Sequence, residues 1–562
     1  MIRNLLFCFA FIVVTPAIAQ HQPDQNRISW SQPLKIKKKA TFNKFVGENE
    51  VGMFVTKTPL KMEIRGNYAF PVLEVYDEKF NLKNSRDLEV NDGKGKNLYE
   101  NTVMLEGKLY LFYSLRNIWK QTITLMVQPL DVLTLSPAGA PFQAIETKIP
   151  TVTTRDQITD FRFEYSDDNS QLLVTNVEPS GGNKNQKIHL FALDGHTGKV
   201  WEKEVELPYQ VKLFDMVSQS VDNQGNAYLL GAKYREGGQD KKNGKPNYDY
   251  VLVGFSQNGA ESFSHSIVSK DKFLRDMRVA VTPDQEILVT GFYSNNGASW
   301  NGLTINLTND SYIAAGENPI GGVYYLKLSP DRKSVLEEKY NGFSLDFLTQ
   351  NMKKRQAGKA IKREKKGKSN EDFNFTLDDL IVREDGSVTL IGEQINNMTI
   401  HTERPTTPAH ITGPVTFNQS SSSDFYSYLD IIAVHLSANG EVQWADKIAK
   451  KQNTTSDFGL FSSYVAAYEN GMLYFIFNEN AKNLHHKGEG EVLNFNPRRD
   501  KKNAALAVVS FDDKGNKSKK HIAQPAGSTV FLKSSTSRQF SDKNLFLFAW
   551  HKKDFRLGRF DF

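Results

Sequence analysis

A tight turn followed by a short, almost wholly apolar run returns at regular intervals along this chain. The turns lie near Gly47, Gly107, Asp168, Gly225, Asp284, Gly386, Gly471 and Asp542, so the intervals are 60, 61, 57, 59, 102, 85 and 71 residues. The runs after them include Lys108–Ser114, Gln171–Thr175, Asn226–Gly231, Glu286–Gly291, Ser387–Gly392, Met472–Phe477 and Asn544–Ala549. They are rich in β-branched and aromatic residues and show little polar alternation. Such runs are strands covered on both faces. A supersecondary unit at a fixed period marks a repeat architecture.

One unit can be followed strand by strand. Asp379–Gly386 is a strand running into its turn, and Ser387–Gly392 is the apolar strand. After a long loop come Asp430–Leu436, the turn Asn439-Gly440 and the strand Glu441–Ile448. Four antiparallel strands, repeated about eight times, predict an all-β propeller of eight blades, with seven as the alternative. A single four-stranded sheet cannot bury both faces, whereas radially stacked sheets cover one another. The last unit holds only three strands, and the segment Arg27–Lys35, or the run just after it, is expected to supply the fourth and close the ring. The longer intervals mark insertions near 293–321, 350–370 and 396–423, which in repeat proteins gather on one face.

Composition excludes several classes. With 39% hydrophobic and 24% charged residues the chain is too apolar to be disordered throughout, and its single Cys cannot form an internal disulfide. Arg3, the apolar run Leu5–Val14 and Ala17-Ile18-Ala19 read as a secretory signal peptide over residues 1–19, with the propeller over 20–562. Its removal would take Cys8 with it, leaving no thiol for catalysis or metal binding. The expected location is periplasmic or extracellular, and the expected state is a monomer without cofactor. The C-terminal run Arg556–Phe562 ends as outer-membrane barrels do. Barrel strands alternate apolar and polar residues, however, and these do not.

Two resemblances follow from particular residues. Leu193, Asp194, Thr197, Gly198 and Trp201 resemble the repeat of pyrroloquinoline-quinone-type propellers. The segments Val289–Ser294, Gly322–Pro330 and Asp430–Ile448 resemble the β-propeller repeats of many exported bacterial proteins. The resemblance implies a fold, not a reaction. Quinoprotein dehydrogenases of that family use a vicinal Cys pair, which this chain lacks, so the cofactor-free scaffolds are the nearer comparison.

No motif names a reaction. There is no H-E-x-x-H and no phosphate-binding loop. Gly297–Asn301 misses the nucleophile-elbow pattern at its last position. His485-His486 and the pair His401 and His410 lack a ligand spacing, and Asp167–Asn169 and Asp512–Gly515 are hairpin turns rather than calcium loops. Trp201 and Trp444 occupy matching places in two units, where packing between sheets is expected. Tyr426 and Tyr428, beside a Ser run, are also read as packing residues.

The binding candidates are Trp300, in the polar loop Asn295–Gly302, and a basic run. That run comprises Lys353, Lys354, Arg355, Lys359, Lys362, Arg363, Lys365, Lys366 and Lys368, with Glu364 the one acid among them. It suits contact with an anionic surface, a glycan or an acidic envelope protein, and export makes nucleic acid an implausible partner. The sequence thus favours an exported, non-catalytic binding scaffold. The alternative is a glycan-active hydrolase or lyase with its site at the central mouth. Converging acids or an arginine cluster at the mouth would favour the alternative, and an uncharged mouth the scaffold.

Overall fold

The computed structural model describes residues 27–562 apart from 35–39, 60–69, 91–96, 150–160, 298–309, 313–318, 407–416, 487–489, 523–528, 540–543 and positions 369, 374 and 553. Within the described strands, the side chains of residues 59, 310–312, 372–373 and 397–423 are not described. The chain forms eight antiparallel blades in sequence order. Seven of them span 40–87, 97–148, 161–210, 214–267, 273–342, 375–448 and 465–522. The eighth joins the C-terminal strands Phe531–Leu532, Arg538–Gln539, Leu545–His551 and Asp554–Phe560 to Ile28–Trp30.

That last pairing closes the ring. Ile28 faces Phe560 and Trp30 faces Gly558, so residues from the two ends of the chain share one sheet. Blades 8 and 1 then meet through aromatic side chains. Phe42 packs on Phe548 with ring centres 5.0 Å apart, and Phe45 on Phe546 at 5.3 Å. Every other seam is built the same way. The second strand of a blade, as in Ile287–Ser294 or Met472–Asn480, is buried over nearly its whole length. Its side chains enter hydrophobic clusters shared with the neighbouring blade, such as Leu230, Leu252, Val279 and Val289 between blades 4 and 5. This explains why these antiparallel strands lack polar alternation: neither face meets water.

The recurrent turns of the sequence are the hairpins between the first and second strands of the blades. Gly107, Asp168, Gly225, Asp284, Gly386 and Gly471 lie in six of them. Gly47 instead lies inside the strand Ala40–Asn49, where the chain bulges, and the hairpin follows it. Asp542 lies outside the described residues.

Trp201 and Trp444 are packing residues, and they repeat one contact. Each stands on the outermost strand of its blade and covers a glycine in the next blade's outer hairpin. Trp201 lies over Gly259 and Trp444 over Gly515, both glycines having positive φ. Trp444 also stacks on Phe511 at 5.2 Å, and its Nε1 donates to the Asp513 carbonyl at 3.1 Å.

Up-and-down connectivity sorts the loops onto two faces. Hairpins joining strands one to two and three to four fall on one face, and these are short. Connections from strands two to three, and from one blade to the next, fall on the other. All three expected insertions belong to this second, insertion face. One joins strands two and three of blade 5, one links blades 5 and 6, and one joins strands two and three of blade 6. In blade 6 the two strands are far longer than the sequence suggested. Val388–Thr406 and Phe417–Leu436 run on as an extended hairpin that also pairs with Asp310–Tyr312 and Gln452–Thr455.

Candidate functional site

The innermost strands of a propeller wall its central channel. Here they carry ionisable residues in blade after blade, most of them in the half toward the insertion face, with Glu164 and Arg538 nearer the hairpin end. Blades 1 to 3 bring Lys44, Glu100 and Glu164, blades 4 and 5 bring Asp215 and Asp276, blade 6 brings Asp378 and Asp379, and blade 8 brings Arg538. Three of these acids stand at β-bulges. Glu100, Asp276 and Asp378 each fall where the register of the inner strand slips against its neighbour. A bulge adds an unpaired residue and re-aims a side chain. Next to Asp276 and Asp378, which are open to water, Met277 and Leu377 point into the seams and are buried.

Contacts between blades that are not neighbours show that the groups meet across the channel. The guanidinium of Arg538 in blade 8 lies 5.6 Å from the ring centre of Tyr165 in blade 3. Glu164 of blade 3 feels Arg278 of blade 5, Asp379 of blade 6 and Arg538. Burial, reinforced by Asp379, pushes the Glu164 carboxyl up to about 7 against the pull of the two arginines. Burial, then the nearby Glu393, pushes Asp378 up to about 7 as well, while Tyr464 donates to its Oδ2 at 2.8 Å. Asp378 and Asp379 are open to water yet surrounded by protein, the condition of side chains in a narrow water-filled bore. Lys44 is drawn down to about 7 by burial and by Arg538, and its ammonium donates to Asn101 Oδ1 at 2.6 Å and the Thr102 carbonyl at 2.9 Å.

Between blades 4 and 5 the channel wall opens into a cavity of about 270 Å³, lined by Asp215, Tyr234, Asp240, Arg275, Asp276 and Arg278 among others. Tyr234 donates to Asp240 Oδ1 at 3.0 Å, and Tyr248 to the Leu274 carbonyl at 2.7 Å. Burial and Asp240 push the Tyr234 phenol up to about 12, so it is a donor at neutral pH and not a base. Arg278 is anchored to the next blade by donating to the Leu377 carbonyl at 3.1 Å. Carboxyls, guanidinium groups and phenols in one concave, wet site can hold a polyhydroxylated ligand bearing charge. Among the described residues, no group of three His, Cys, Asp or Glu is placed to hold a metal ion.

The sequence-predicted residues that are described lie elsewhere. Trp300 is outside the described residues. The basic run forms the exposed helix Lys354–Glu364 and its flanks, on the insertion face but away from the channel wall. Tyr428 packs beside Gly459 and under Lys450, and Tyr426 lies against Phe458 at 6.3 Å. His485 ends a short 3-10 turn, Ala481–His485, rather than lying on a strand. The channel acids left a signal that motif searching missed. Two inner strands open with Phe and carry an acid three residues on, at the bulge: Phe273 and Asp276, Phe375 and Asp378.

No protein-family description matches the chain, and no curated protein matches it in sequence. Among solved structures the chain is similar to the WD40 domain of SCAP from fission yeast, at 9% identity over 95% of this chain and 97% of that one, with a TM-score of 0.34. It is similar to the β-propeller domain of Nup133 from Vanderwaltozyma polyspora, at 10% identity over 82% and 99%, with a TM-score of 0.30. It is also similar to an ulvan lyase of polysaccharide lyase family PL25, at 9% identity over 81% and 90%, with a TM-score of 0.34. Likeness at this level says nothing of activity.

Proposed function

We propose that this is an exported propeller that binds a charged glycan in its central channel. The observation that carries the reading is the meeting of Glu164, Arg278, Asp379 and Arg538 from four different blades. Arg278 and Asp379 stand on neighbouring blades, whereas Glu164 and Arg538 reach them and each other from blades that are not neighbours, so the four share the channel. Arginines and carboxylates arranged in this way suit a sugar chain bearing carboxylate, sulfate or amine groups. By the criterion set out from the sequence, converging charges favour the glycan-active alternative over the scaffold, and they draw the reading from the insertion loops to the channel. The signal-like N-terminus and the resemblance to exported, cofactor-free propeller repeats support the export part of the reading. A panel of neutral, acidic and amino-bearing oligosaccharides, titrated against the whole protein by calorimetry, tests it: binding confined to charged members is expected.

A second reading adds bond cleavage, and the Glu164 carboxyl favours it. A group held near 7 is poised to give and take a proton at neutral pH. Release of reducing ends or of unsaturated sugar from a bound glycan, lost in Glu164→Gln, would establish an enzyme. Binding without release would leave a binding propeller.

A further inference from the structure

The insertion face carries two features that the channel does not use. The first is the loop between strands two and three of blade 2. At its tip Ile118 is 74% exposed and Trp119 97% exposed, between the exposed cations Arg116 and Lys120. The loop is held in shape, since Lys120 N donates to Asn117 Oδ1 at 3.0 Å and Ile149 N to the Gln121 carbonyl at 2.9 Å. The second is the basic helix Lys354–Glu364, which links blades 5 and 6. Ala357, Gly358 and Ala360 are half-buried, whereas Arg355, Lys359 and Lys362 are exposed at spacings of four and three residues. Lys366 continues the row into the closing turn, for a length of about 16 Å. The helix is tied down by Asn370 Nδ2, which donates to the Ala360 carbonyl at 3.0 Å, and by the Lys353–Glu491 ion pair at 3.0 Å.

We propose that this face docks on an anionic lipid bilayer. Trp119 and Ile118 enter the headgroup boundary on one side of the ring, and the basic row lies on the headgroups on the other. An acidic polymer would be served by the basic row alone. The apolar tip gains free energy only against an apolar medium, and a tryptophan flanked by cations suits the bilayer interface. Val268, Phe458 and Leu493 are each about half exposed, and all stand in loops of the same face. Toward the opposite face Leu133 is exposed in a hairpin, and Leu82, Val200, Val335 with Leu336, and Val442 are partly exposed at the starts of outer strands, spread singly over different blades and without a tryptophan. A fixed basic row adds electrostatic attraction to anionic headgroups, and an apolar anchor with a basic patch makes two signals where one is weak. The inference stands apart from the reading of the channel. If both hold, the ligand is one displayed at that surface.

Flotation of the whole protein with vesicles tests it. The arms are phosphatidylglycerol-rich vesicles, phosphatidylcholine vesicles, and polygalacturonate beads for the acidic-polymer alternative. The variants are Ile118→Ser with Trp119→Ser, the set Arg355→Gln, Lys359→Gln, Lys362→Gln and Lys366→Gln, and a control set on the opposite face, Lys79→Gln, Lys199→Gln, Lys333→Gln and Lys514→Gln, which should bind as wild type. Thermal melts establish that each is folded. The proposal expects binding to anionic vesicles, weakened at least about tenfold by either of the first two variants and more by salt in the wild type than in the basic-row variant. Absence of vesicle binding, or wild-type binding by either of those variants, overturns it. So does binding to the beads but not to the vesicles.

Discussion

The guanidinium of Arg538 sits over the ring of Tyr165, 5.6 Å from its centre, although the two residues stand on blades 8 and 3. A contact of that kind reaches across the channel rather than along its wall. It places Arg538 among three titratable groups at once: it holds Glu164 down, draws Lys44 down and lowers the Tyr165 phenol. Arg538→Gln should therefore move the Glu164 carboxyl further above 7 and return Lys44 toward the ordinary lysine range. Both shifts can be followed by NMR titration of selectively labelled protein.

The sign of the pH dependence follows from the same groups. The folded-state Glu164 carboxyl titrates near 7, above its ordinary 4.5. The folded protein thus binds more protons than the unfolded chain between those values, and stability falls as pH rises through the interval. Glu164→Gln removes that dependence. Its melting temperature should match wild type near pH 4 and exceed it at pH 8, the gain in stability being about 1–3 kcal/mol. Lys44 acts on the alkaline side with the opposite slope. Its folded-state value near 7 lies below the ordinary 10.5, so stability rises with pH between them.

Beside the channel, Lys450 and Glu393 form an ion pair at 2.6 Å with both side chains 1% exposed. Ser463 Oγ donates to the other carboxylate oxygen at 2.7 Å, and Lys450 Nζ also donates to Gln452 Oε1 at 3.1 Å. Removing one partner would strand a buried charge. Glu393→Ala should cost about 3–5 kcal/mol in urea unfolding, whereas Glu393→Leu combined with Lys450→Met should recover most of that loss.

Ring closure rests on very few residues. Among the described residues of the N-terminal end, Ile28–Trp30 pairs with Asp554–Phe560, aided by the Leu34–Phe555 bridge and by Ser31 Oγ, which accepts from Leu557 N at 3.0 Å. A chain beginning after Lys39 would expose the edge of blade 8, including Leu557 and Phe560, which are now fully buried. We expect a sharply lower melting temperature by calorimetry and partial rescue by a peptide spanning Arg27–Leu34.

The wheel was legible in the sequence because each blade repeats one strong local signal: a glycine or aspartate turn followed by a strand with no wet face. The phase was legible as well, since Gly107 through Gly471 mark the same hairpin in successive blades. Closure could be expected because a fourth strand was missing at one end of the chain. The site was not legible, for a physical reason. Glu164, Arg278, Asp379 and Arg538 are far apart in sequence, and only the circular arrangement points them at one another. The charge density of Lys353–Lys368 is the conspicuous feature of the sequence, but it reports a surface and not a cleft. Trp119 gives little signal in the sequence because it occupies a short loop, while Trp300 stands in a conspicuous insertion. The length of the blade 6 hairpin was hidden because Asn396–Ser423 is rich in Asn, Ser and Pro, a composition that reads as loop.

The most direct test of the channel as a ligand site is calorimetric titration of an acidic oligosaccharide into the wild type and into Arg538→Gln, at pH 6 and pH 8. Raising pH through 7 adds negative charge at Glu164 and Asp378 and removes positive charge at Lys44, so wild-type affinity for an anionic ligand should fall between the two conditions. Arg538→Gln, folded by its melting curve, should bind about tenfold more weakly or not at all. Equal affinity for the two proteins, unchanged by pH, would contradict the account.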